Sequence, residues 1–280
     1  MVAETGSLDA QLCQASAADS QRDERSSTQP PSLAESLVNQ PASSRFKFLP
    51  QLNDLERTEW MSSRQKFHAQ IAAEHFGSDK LQDKFLRAIA AERLLPIKEV
   101  LESFEFFARV RKSTRAQTVA DLCCGHGLIG ILFAMFEREV QQVILIDQNE
   151  PDSRQKLISV AESVAPWVAD KIDNRATKIS TEDSWIEPGV GIVSAHACGV
   201  LSDLCIDVAI KSGGPIALLP CCYPRSACKA PLSLQTELGL ETAFDIDRTY
   251  RLENAGYRIR WGSIPKEITP MNRIIYGTIA

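Results

Sequence analysis

The stretch from residue 117 to 130 constrains the fold more than any other part of the chain. An apolar run containing Val119 and Leu122 predicts a buried strand, which is interrupted by a glycine turn at residues 125–127. The apolar residues 128–134 that follow predict a buried helix. A strand, a glycine turn and a helix in this order are typical of a nucleotide site in an open α/β sheet, because the helix N-terminus offers unpaired N–H groups.

The glycine spacing by itself fits two classes of protein. Gly125, Gly127 and Gly130 match the dinucleotide fingerprint, and Asp147 lies twenty residues after Gly127, where a ribose-binding acid is expected. Asp121 stands four residues before Gly125, where dinucleotide-binding strands usually carry an apolar residue. The spacing leaves an NAD(P)-dependent oxidoreductase open as an alternative, and Asp121 argues against it.

Composition limits the class of protein. The 280 residues are 44% hydrophobic and 24% charged, as in soluble globular proteins, and allow one large domain or two modest ones. The net charge of −5 gives no global electrostatic case for nucleic-acid binding. The sequence shows no membrane-spanning apolar stretch and no secretory or transit signal.

Its eight cysteines include no Cys-x-x-Cys pair, so we expect reduced thiols in a cytoplasmic protein without membrane association.

The chain divides into three predicted parts. Residues 1–45 are rich in Ser, Ala, Gln and Pro and predict a disordered tail. Residues 46–114 have apolar residues at helical spacing and predict a helical extension, with Pro96 opening its last helix. Residues 115–280 contain the nucleotide-site motif and predict the main α/β domain.

Strands and helices alternate from residue 117 onward, which predicts a mostly parallel sheet with right-handed crossovers. After the first strand, further strands are predicted at 140–146, 175–179, 190–195, 215–219, 257–264 and 273–279. Ligands bind at the carboxyl ends of strands in such sheets. The distinctive polar and sulfur-containing residues follow five of these strands, at 123–127, 147–148, 183, 196–199 and 221–223. We therefore expect one shared site.

The segment 121–127, Asp-Leu-Cys-Cys-Gly-His-Gly, resembles the Asp-x-Gly-x-Gly-x-Gly turn of class I methyltransferases, with Cys123 where the first glycine is usual. The resemblance implies a Rossmann-like α/β fold with a mostly parallel seven-stranded sheet and an antiparallel last strand. It also implies S-adenosylmethionine as the cofactor. Asp121 would then lie near the methionine end of the cofactor, which carries an ammonium group and a sulfonium.

Two further motifs resemble one branch of these enzymes. His196-Ala-Cys-Gly with Asp203, and Pro220-Cys-Cys, are similar to segments of tRNA 2′-O-methyltransferases and related methyltransferase-like proteins. The resemblance covers residues 117–224 and, more loosely, 268–273. It implies an RNA hydroxyl or base as the methyl acceptor, with a small molecule as the alternative. The cysteine-rich finger domains of the tRNA enzymes are absent from this sequence.

The resemblance also assigns roles to individual residues. Asp147 would accept hydrogen bonds from both ribose hydroxyls, since two adjacent hydroxyls match two carboxylate oxygens. Asp183 would contact the adenine amino group, with the neighbouring Glu182 as an alternative. The residues expected to bind the cofactor are Asp121, Cys123, Gly125, His126, Gly127, Asp147, Gln148 and Asp183. The residues expected on the substrate side are Cys221, Cys222 and Tyr223.

His196 is the predicted catalytic residue, and three interpretations stay open. In the first, it is a general base for a hydroxyl acceptor, because histidine accepts protons near neutral pH. In the second, it orders the methionine end of the cofactor. In the third, it is a structural histidine at a strand end, held by Asp203.

The cysteines allow a second alternative, a non-catalytic binding or redox module acting through its thiols. Five side chains could converge within a few ångströms, and thiolates with an imidazole suit zinc: Cys123, Cys198, Cys221, Cys222 and His196. Successive residues of an extended strand point to opposite faces, so the adjacent pair is not expected to reach one ion. The sequence therefore predicts no metal site. It predicts instead that the cysteines are small side chains lining a cofactor slot. Arginines alternate with aromatic residues near the C-terminus. This pattern is compatible with RNA binding, or with a strand whose cations are exposed and whose aromatic residues are buried, and the strand interpretation is favoured.

Overall fold

Helices and 3₁₀ turns are the regular elements of the described chain before the first strand. A computed structural model describes residues 45–280, so the predicted tail lies outside the described residues except for Arg45. Two 3₁₀ turns, Pro50–Leu52 and Glu59–Ser62, precede three helices: α1 (Ala69–His75), α2 (Leu81–Ala91) and α3 (Ile97–Val110). Helix α3 begins directly after Pro96, as predicted, and its apolar side is buried.

Glu105 of α3 fixes the start of the described chain. Its buried carboxylate accepts hydrogen bonds from the backbone N–H groups of Lys47, Phe48 and Leu49, at 2.9, 2.9 and 3.2 Å. It also pairs with Arg109, one turn along the helix. A buried carboxylate is stable only when it is paired in this way. Glu105 therefore ties residues 47–49 to the helical extension.

The seven-stranded sheet confirms the predicted fold class. Its strands are β1 (Thr118–Leu122), β2 (Gln142–Asp147), β3 (Ile172–Ala176), β4 (Gly191–Ala195), β5 (Ile216–Leu219), β6 (Tyr257–Ser263) and β7 (Arg273–Ile279). The spatial order is β3-β2-β1-β4-β5-β7-β6. Strands β1 to β5 are parallel, and β7 lies antiparallel between β5 and β6. This order differs from the usual dinucleotide-binding order, 3-2-1-4-5-6, because β7 is inserted between β5 and β6.

The third strand lies three residues before the predicted one. The sequence predicts it at 175–179, whereas β3 spans Ile172–Ala176. Strand β3 is at the edge of the sheet, pairs with β2, and is mostly half-buried. Such a strand does not need a continuous apolar run. Apolar runs, which located the other strands, therefore gave the wrong bounds for β3.

Helices cover both faces of the sheet. They are α4 (Leu128–Phe136), α5 (Asp152–Val164), α6 (Val200–Ser212), α7 (Leu232–Leu238) and α8 (Leu240–Asn254), with 3₁₀ turns at Pro166–Val168 and Arg225–Ala227. One face of β2, with Val143 and Leu145, shares an apolar core with α4, α5 and the helical extension. The opposite face, with Ile144 and Ile146, packs with α6 and α8. Within residues 45–280, no helix is both long and apolar enough to cross a membrane.

Helix α4 approaches β2 closely at Gly130. A Cβ added there would lie 2.4 Å from Leu145 Cδ2 and 2.9 Å from Val143 Cγ1, both in the buried core. We expect Gly130→Ala to lower the free energy of unfolding by about 1–3 kcal/mol, because a packed core resists added volume. Urea unfolding measures this change. The control is Gly77→Ala, whose added Cβ meets nothing closer than Ala73 O at 4.0 Å; equal losses in both variants would contradict the packing argument.

Candidate active site

A cavity of about 390 Å³ lies at the carboxyl ends of β1 and β4. One wall comes from the strand ends, as the sequence predicts, and the facing wall comes from α3 and nearby residues of the helical extension. The lining residues are Arg64, Pro96, Lys98, Glu99, Glu102, Ser103, Asp121, Cys123, Cys124, Gly125, His126, Ile129, Ala195 and His196. The cavity thus brings together Asp121, the glycine turn and His196.

Asp121 is the most strongly perturbed carboxyl group of the cavity. Its side chain is buried, and Oδ2 accepts a hydrogen bond from Gly130 N at 2.9 Å. Oδ1 is also buried and has no hydrogen-bond partner within residues 45–280. Burial raises the pKa of Asp121 to about 7, although the Gly130 N–H and the positive charge of Arg154 act in the opposite direction. An unsatisfied carboxylate oxygen in a cavity is suited to a cationic ligand.

The turn after β1 explains why glycine is usual at position 123. Cys123, Gly125 and Gly127 all have left-handed backbone conformations, with φ of 54°, 51° and 76°. Glycine adopts this region readily, whereas a side chain costs about 1–2 kcal/mol. Cys123 therefore keeps the turn geometry of the resembling family with some strain. Gly127 packs against Leu145, so only part of the turn lines the cavity.

Asp147 links the end of β2 to the glycine turn. Its carboxylate accepts hydrogen bonds from Gly125 N at 3.1 Å and from Asn149 N at 2.9 Å. Asp147 thus lies next to the cavity through Gly125, while Gln148 beside it is exposed. Carboxylate oxygens accept more than one hydrogen bond each, so the ribose role of Asp147 stays a prediction.

Arg154 stabilises the same region, and the sequence pattern did not predict this role. It is fully buried in α5 and donates to Gly125 O at 2.7 Å, Asn149 O at 2.7 Å and Asn174 Oδ1 at 3.0 Å. A buried guanidinium with its donors satisfied holds several backbone segments in fixed relation. Its signal in the sequence was weak, since an arginine in an amphipathic helix ordinarily indicates the exposed face.

Asp183 lies in a loop outside the cavity lining. Because β3 ends at Ala176, Asp183 does not directly follow a strand. Its Oδ2 accepts hydrogen bonds from Ser180 N and from Trp185 Nε1, both at 3.1 Å. These contacts close a local turn, and Glu182 is exposed. The adenine contact stays a prediction.

Two glutamates of α3 pair with the two histidines of the cavity. Glu102, buried, places Oε2 3.0 Å from His196 Nε2. Glu99, one turn earlier, places Oε2 3.4 Å from His126 Nε2, and the hydrogen bond from His126 lowers the pKa of Glu99. The His126 ring also accepts a hydrogen bond from Leu128 N at 3.2 Å through Nδ1, so His126 shapes the turn.

The interpretation that Asp203 holds His196 is wrong. Asp203 pairs instead with Arg248 at 3.2 Å and Arg251 at 3.8 Å, because the first turn of α6 faces α8. The partner of His196 is Glu102, from a helix 94 residues away in sequence. His196 itself has a left-handed backbone, with φ of 66°. Strained non-glycine residues of this kind cluster at functional sites.

The substrate-side prediction divides into two groups of residues. Cys221 and Cys222 both point toward Cys198, which contradicts the expected alternation, because β5 ends at Leu219 and the pair lies in the following loop. Tyr223 is directed toward α8, where its hydroxyl donates to Asp245 at 3.1 Å. Burial raises the pKa of Tyr223, so the phenol stays protonated.

The basic residues near the C-terminus are largely used within the protein. Arg248 is fully buried and pairs with Asp203 and Asp245. Arg273 pairs with Asp245 at 2.8 Å and lies over the ring of Trp261. Arg258 and Arg260 are exposed on β6. The arginine and aromatic pattern therefore arises mainly from internal ion pairs and one strand face.

Comparison with known proteins identifies the domain that contains this site. A family model described as a methyltransferase domain (Methyltransf_32) matches residues 96–228, slightly less than half of the chain. The match begins at Pro96 and so includes α3 with Glu99 and Glu102. Residues 96–228, which contain the site, are therefore similar to a methyltransferase domain, in agreement with the resemblance of the turn motif.

Individual relatives are more distant. A Xenopus laevis protein named "Glutathione S-transferase C-terminal domain-containing protein" is 25% identical, over 58% of this chain and 31% of that protein. The chain thus spans about a third of that curated relative. An O-methyltransferase family protein from Burkholderia thailandensis has a TM-score of 0.37 and 15% identity, over 76% of this chain and 63% of that one. The m1A22 tRNA methyltransferase TrmK of B. subtilis has a TM-score of 0.44 and 10% identity, over 63% and 66%.

Proposed function

We propose that this methyltransferase-domain protein uses S-adenosylmethionine as its methyl donor and transfers the methyl group to an RNA hydroxyl or base. The observation that carries the proposal is the buried, unpartnered Oδ1 of Asp121 in the cavity. The cofactor's ammonium group supplies the missing hydrogen-bond donors and a compensating positive charge.

The donor set of the cavity suits the cofactor. Asp121 would bind the ammonium group, the backbone of the turn at 123–127 would lie against the methionine portion, and Asp147 would accept the ribose hydroxyls. When bound, S-adenosylmethionine supplies a methyl group on a positively charged sulfur, which a nucleophile displaces. Most of the acceleration of such a displacement comes from alignment and exclusion of water.

The geometry of His196 supports a role toward the acceptor. When Nε2 donates to Glu102, Nδ1 of the neutral ring is left as the hydrogen-bond acceptor. An acceptor hydroxyl could then donate to Nδ1, with Glu102 orienting the ring as a buried carboxylate orients histidine in hydrolase triads. His196 thus orders the acceptor group in this proposal.

RNA as the acceptor class rests on the His-x-Cys-Gly and Pro-Cys-Cys motifs. Arg64 of the cavity wall supports a phosphate-bearing acceptor, whereas Lys98 pairs with Glu102 Oε1 at 3.4 Å. The described cysteines are all free thiols, which agrees with a reducing compartment, and we propose the cytoplasm.

Calorimetric titration with S-adenosylhomocysteine tests the cofactor. We expect micromolar binding by the full chain, at least tenfold weaker binding by Asp147→Ala, and no heat with NADH. Asp147→Ala removes the carboxylate proposed for the ribose, and Asp170→Ala, at an exposed site, is the matched control. NADH binding without S-adenosylhomocysteine binding would favour the oxidoreductase alternative and contradict the proposal.

Transfer of radiolabelled methyl groups tests the acceptor. Fractionated RNA, protein and small molecules from cells that lack this protein are incubated with the enzyme and labelled cofactor. We expect label in RNA, and at least 100-fold slower labelling with His196→Ala. Label in small molecules alone would overturn the RNA assignment while leaving methyl transfer intact.

A further inference from the structure

Three cysteine side chains meet at the ends of β4 and β5. The Sγ atom of Cys198 lies 3.5 Å from that of Cys221 and 3.2 Å from that of Cys222, and the last two are 3.6 Å apart. All three ligand atoms lie within the span that one metal ion bridges. We propose that Cys198, Cys221 and Cys222 bind one thiophilic divalent cation, Zn²⁺.

The sulfur triangle is close to the size that zinc requires. With Zn–S bonds of about 2.3 Å, tetrahedral geometry separates the sulfurs by roughly 3.8 Å. The present separations would need to widen by a few tenths of an ångström. Cys198 and Cys222 are exposed, so their side chains can make this adjustment without repacking a core.

The backbone around the sulfurs holds them in place without an ion. Gly199 has φ of 57°, and a Cβ there would lie 3.1 Å from Pro224 Cγ, so the loop after β4 packs tightly on the loop after β5. His196 N also donates to Leu219 O at 3.0 Å, joining the same two strand ends. Cys198 O accepts from Leu201 N at 3.1 Å, which anchors it to α6. The ligand positions are therefore set by the fold.

Electrostatics also supports a cation at this position. Three sulfurs this close disfavour one another as thiolates, because like charges repel. A divalent cation bound between them compensates that charge, and its binding releases the thiol protons.

Three protein ligands are one fewer than a closed structural zinc site uses. A tetrahedral ion held by these cysteines has its fourth position open to water or to another ligand, which is the arrangement of catalytic zinc sites. Cys123 and His196 lie nearby in the sequence motifs but do not belong to the triangle. None of the three cysteines lines the cavity at Asp121, and this inference does not depend on methyl transfer.

Cobalt titration of the full chain tests the site. Protein purified under reducing conditions and stripped with a chelator is titrated with Co²⁺, and Zn²⁺ affinity follows from competition. We expect one ion per chain and an intense near-ultraviolet sulfur-to-cobalt band. Cys198→Ser, Cys221→Ser and Cys222→Ser should each weaken Zn²⁺ binding by more than 100-fold, beyond the 10- to 100-fold typical of residues behind the ligands. Cys228→Ser, at a free thiol outside the triangle, is the matched control and should bind as the unmodified protein does.

Three results would overturn the site. The first is absence of the sulfur-to-cobalt band. The second is equal binding by the Cys198→Ser and Cys228→Ser variants, when circular dichroism shows that both are folded. The third is a Cys198–Cys222 disulfide that is already present in protein isolated from cells and resists added reductant, which would make the cluster a redox pair. S-adenosylhomocysteine binding, measured on the same samples, reports separately on the proposed function.

Discussion

Asp121→Asn should abolish cofactor binding and, above pH 7, make the unliganded protein more stable. Asparagine keeps an acceptor for Gly130 N, which Asp121 binds at 2.9 Å, but it removes the charge proposed to pair with the cofactor's ammonium group. Losing one partner of a buried charge pair costs about 2–5 kcal/mol. We therefore expect S-adenosylhomocysteine to bind at least 100-fold more weakly, as measured by calorimetry at pH 8.

The stability effect follows from the raised pKa of Asp121. Burial raises it from 3.8 to about 7, with Arg154 lowering and Asp147 raising it. Stability associated with the protonated carboxyl is fully present below about pH 4 and is lost as the pH rises through about 7. Asp121→Asn has no carboxyl group to ionise and does not lose this stability. Its free energy of unfolding should equal that of the unmodified protein near pH 4 and exceed it increasingly up to pH 7. At pH 8 the difference should reach up to about 4 kcal/mol.

Urea unfolding at pH 4.5 and pH 8 measures the difference. Asp170→Asn, at an exposed carboxylate, is the control and should change stability equally little at both pH values. A variant of Asp121 that is less stable at pH 8, or whose advantage does not depend on pH, would show that Asp121 is not a buried, destabilising charge.

Glu102→Gln should lower the rate of methyl transfer by about 10- to 100-fold while leaving cofactor affinity nearly unchanged. Glu102 touches His196 and acts through it, so it is a positioning residue. Glutamine has nearly the same size and retains one acceptor, but its amide can present an N–H to the ring and lacks the charge that favours one tautomer. The lost interaction concerns the acceptor step, so kcat should fall and the KM for S-adenosylmethionine should not change.

Single-turnover transfer to labelled RNA measures the rate, and calorimetry measures cofactor binding. The double variant Glu102→Gln/His196→Ala should be no slower than His196→Ala alone, since residues that act as a unit are not additive. The control is Glu92→Gln, at an exposed position after α2. Equal losses of cofactor affinity and rate would mean that Glu102 only supports the fold of the cavity wall.

The sequence predicted the half of the site that is continuous along the chain. The strand, turn and helix around Gly125 have a local signature, because the glycines of the turn and the apolar runs on both sides of it are consecutive in the sequence. The strand ends carrying Asp121 and His196 followed from the general rule for parallel sheets. The seven-stranded arrangement followed from alternation and the family resemblance.

The other wall of the cavity had no such signature. Helical periodicity treats Glu99 and Glu102 as polar positions, and only a tertiary contact shows that they face two histidines. Glu102 is buried because α3 is covered on all sides between Val100 and Phe107, which the periodicity of the helix does not reveal. A buried charged residue requires a partner, and only the tertiary structure identifies it.

The adjacent cysteines illustrate a different limit. Alternation applies only to extended strands, and the sequence correctly predicts that the fifth strand ends at Leu219. The expectation for Cys221 and Cys222 nevertheless applied strand alternation to the loop that follows. That loop directs both sulfurs toward Cys198, so the geometric argument failed although the strand end and the fold were correct.

Glu105 has a consequence for how this protein can be divided. Its carboxylate is enclosed by donors from residues 47–49, which lie almost fifty residues upstream of the recognised domain. A fragment limited to residues 96–228 would retain the anion and lose those donors, a loss of several kcal/mol. It would also leave β5 without β7 along its edge. Residues 96–228 thus rely on contacts with chain on both sides of them, and α3, which carries Glu102, is anchored by residues 47–49.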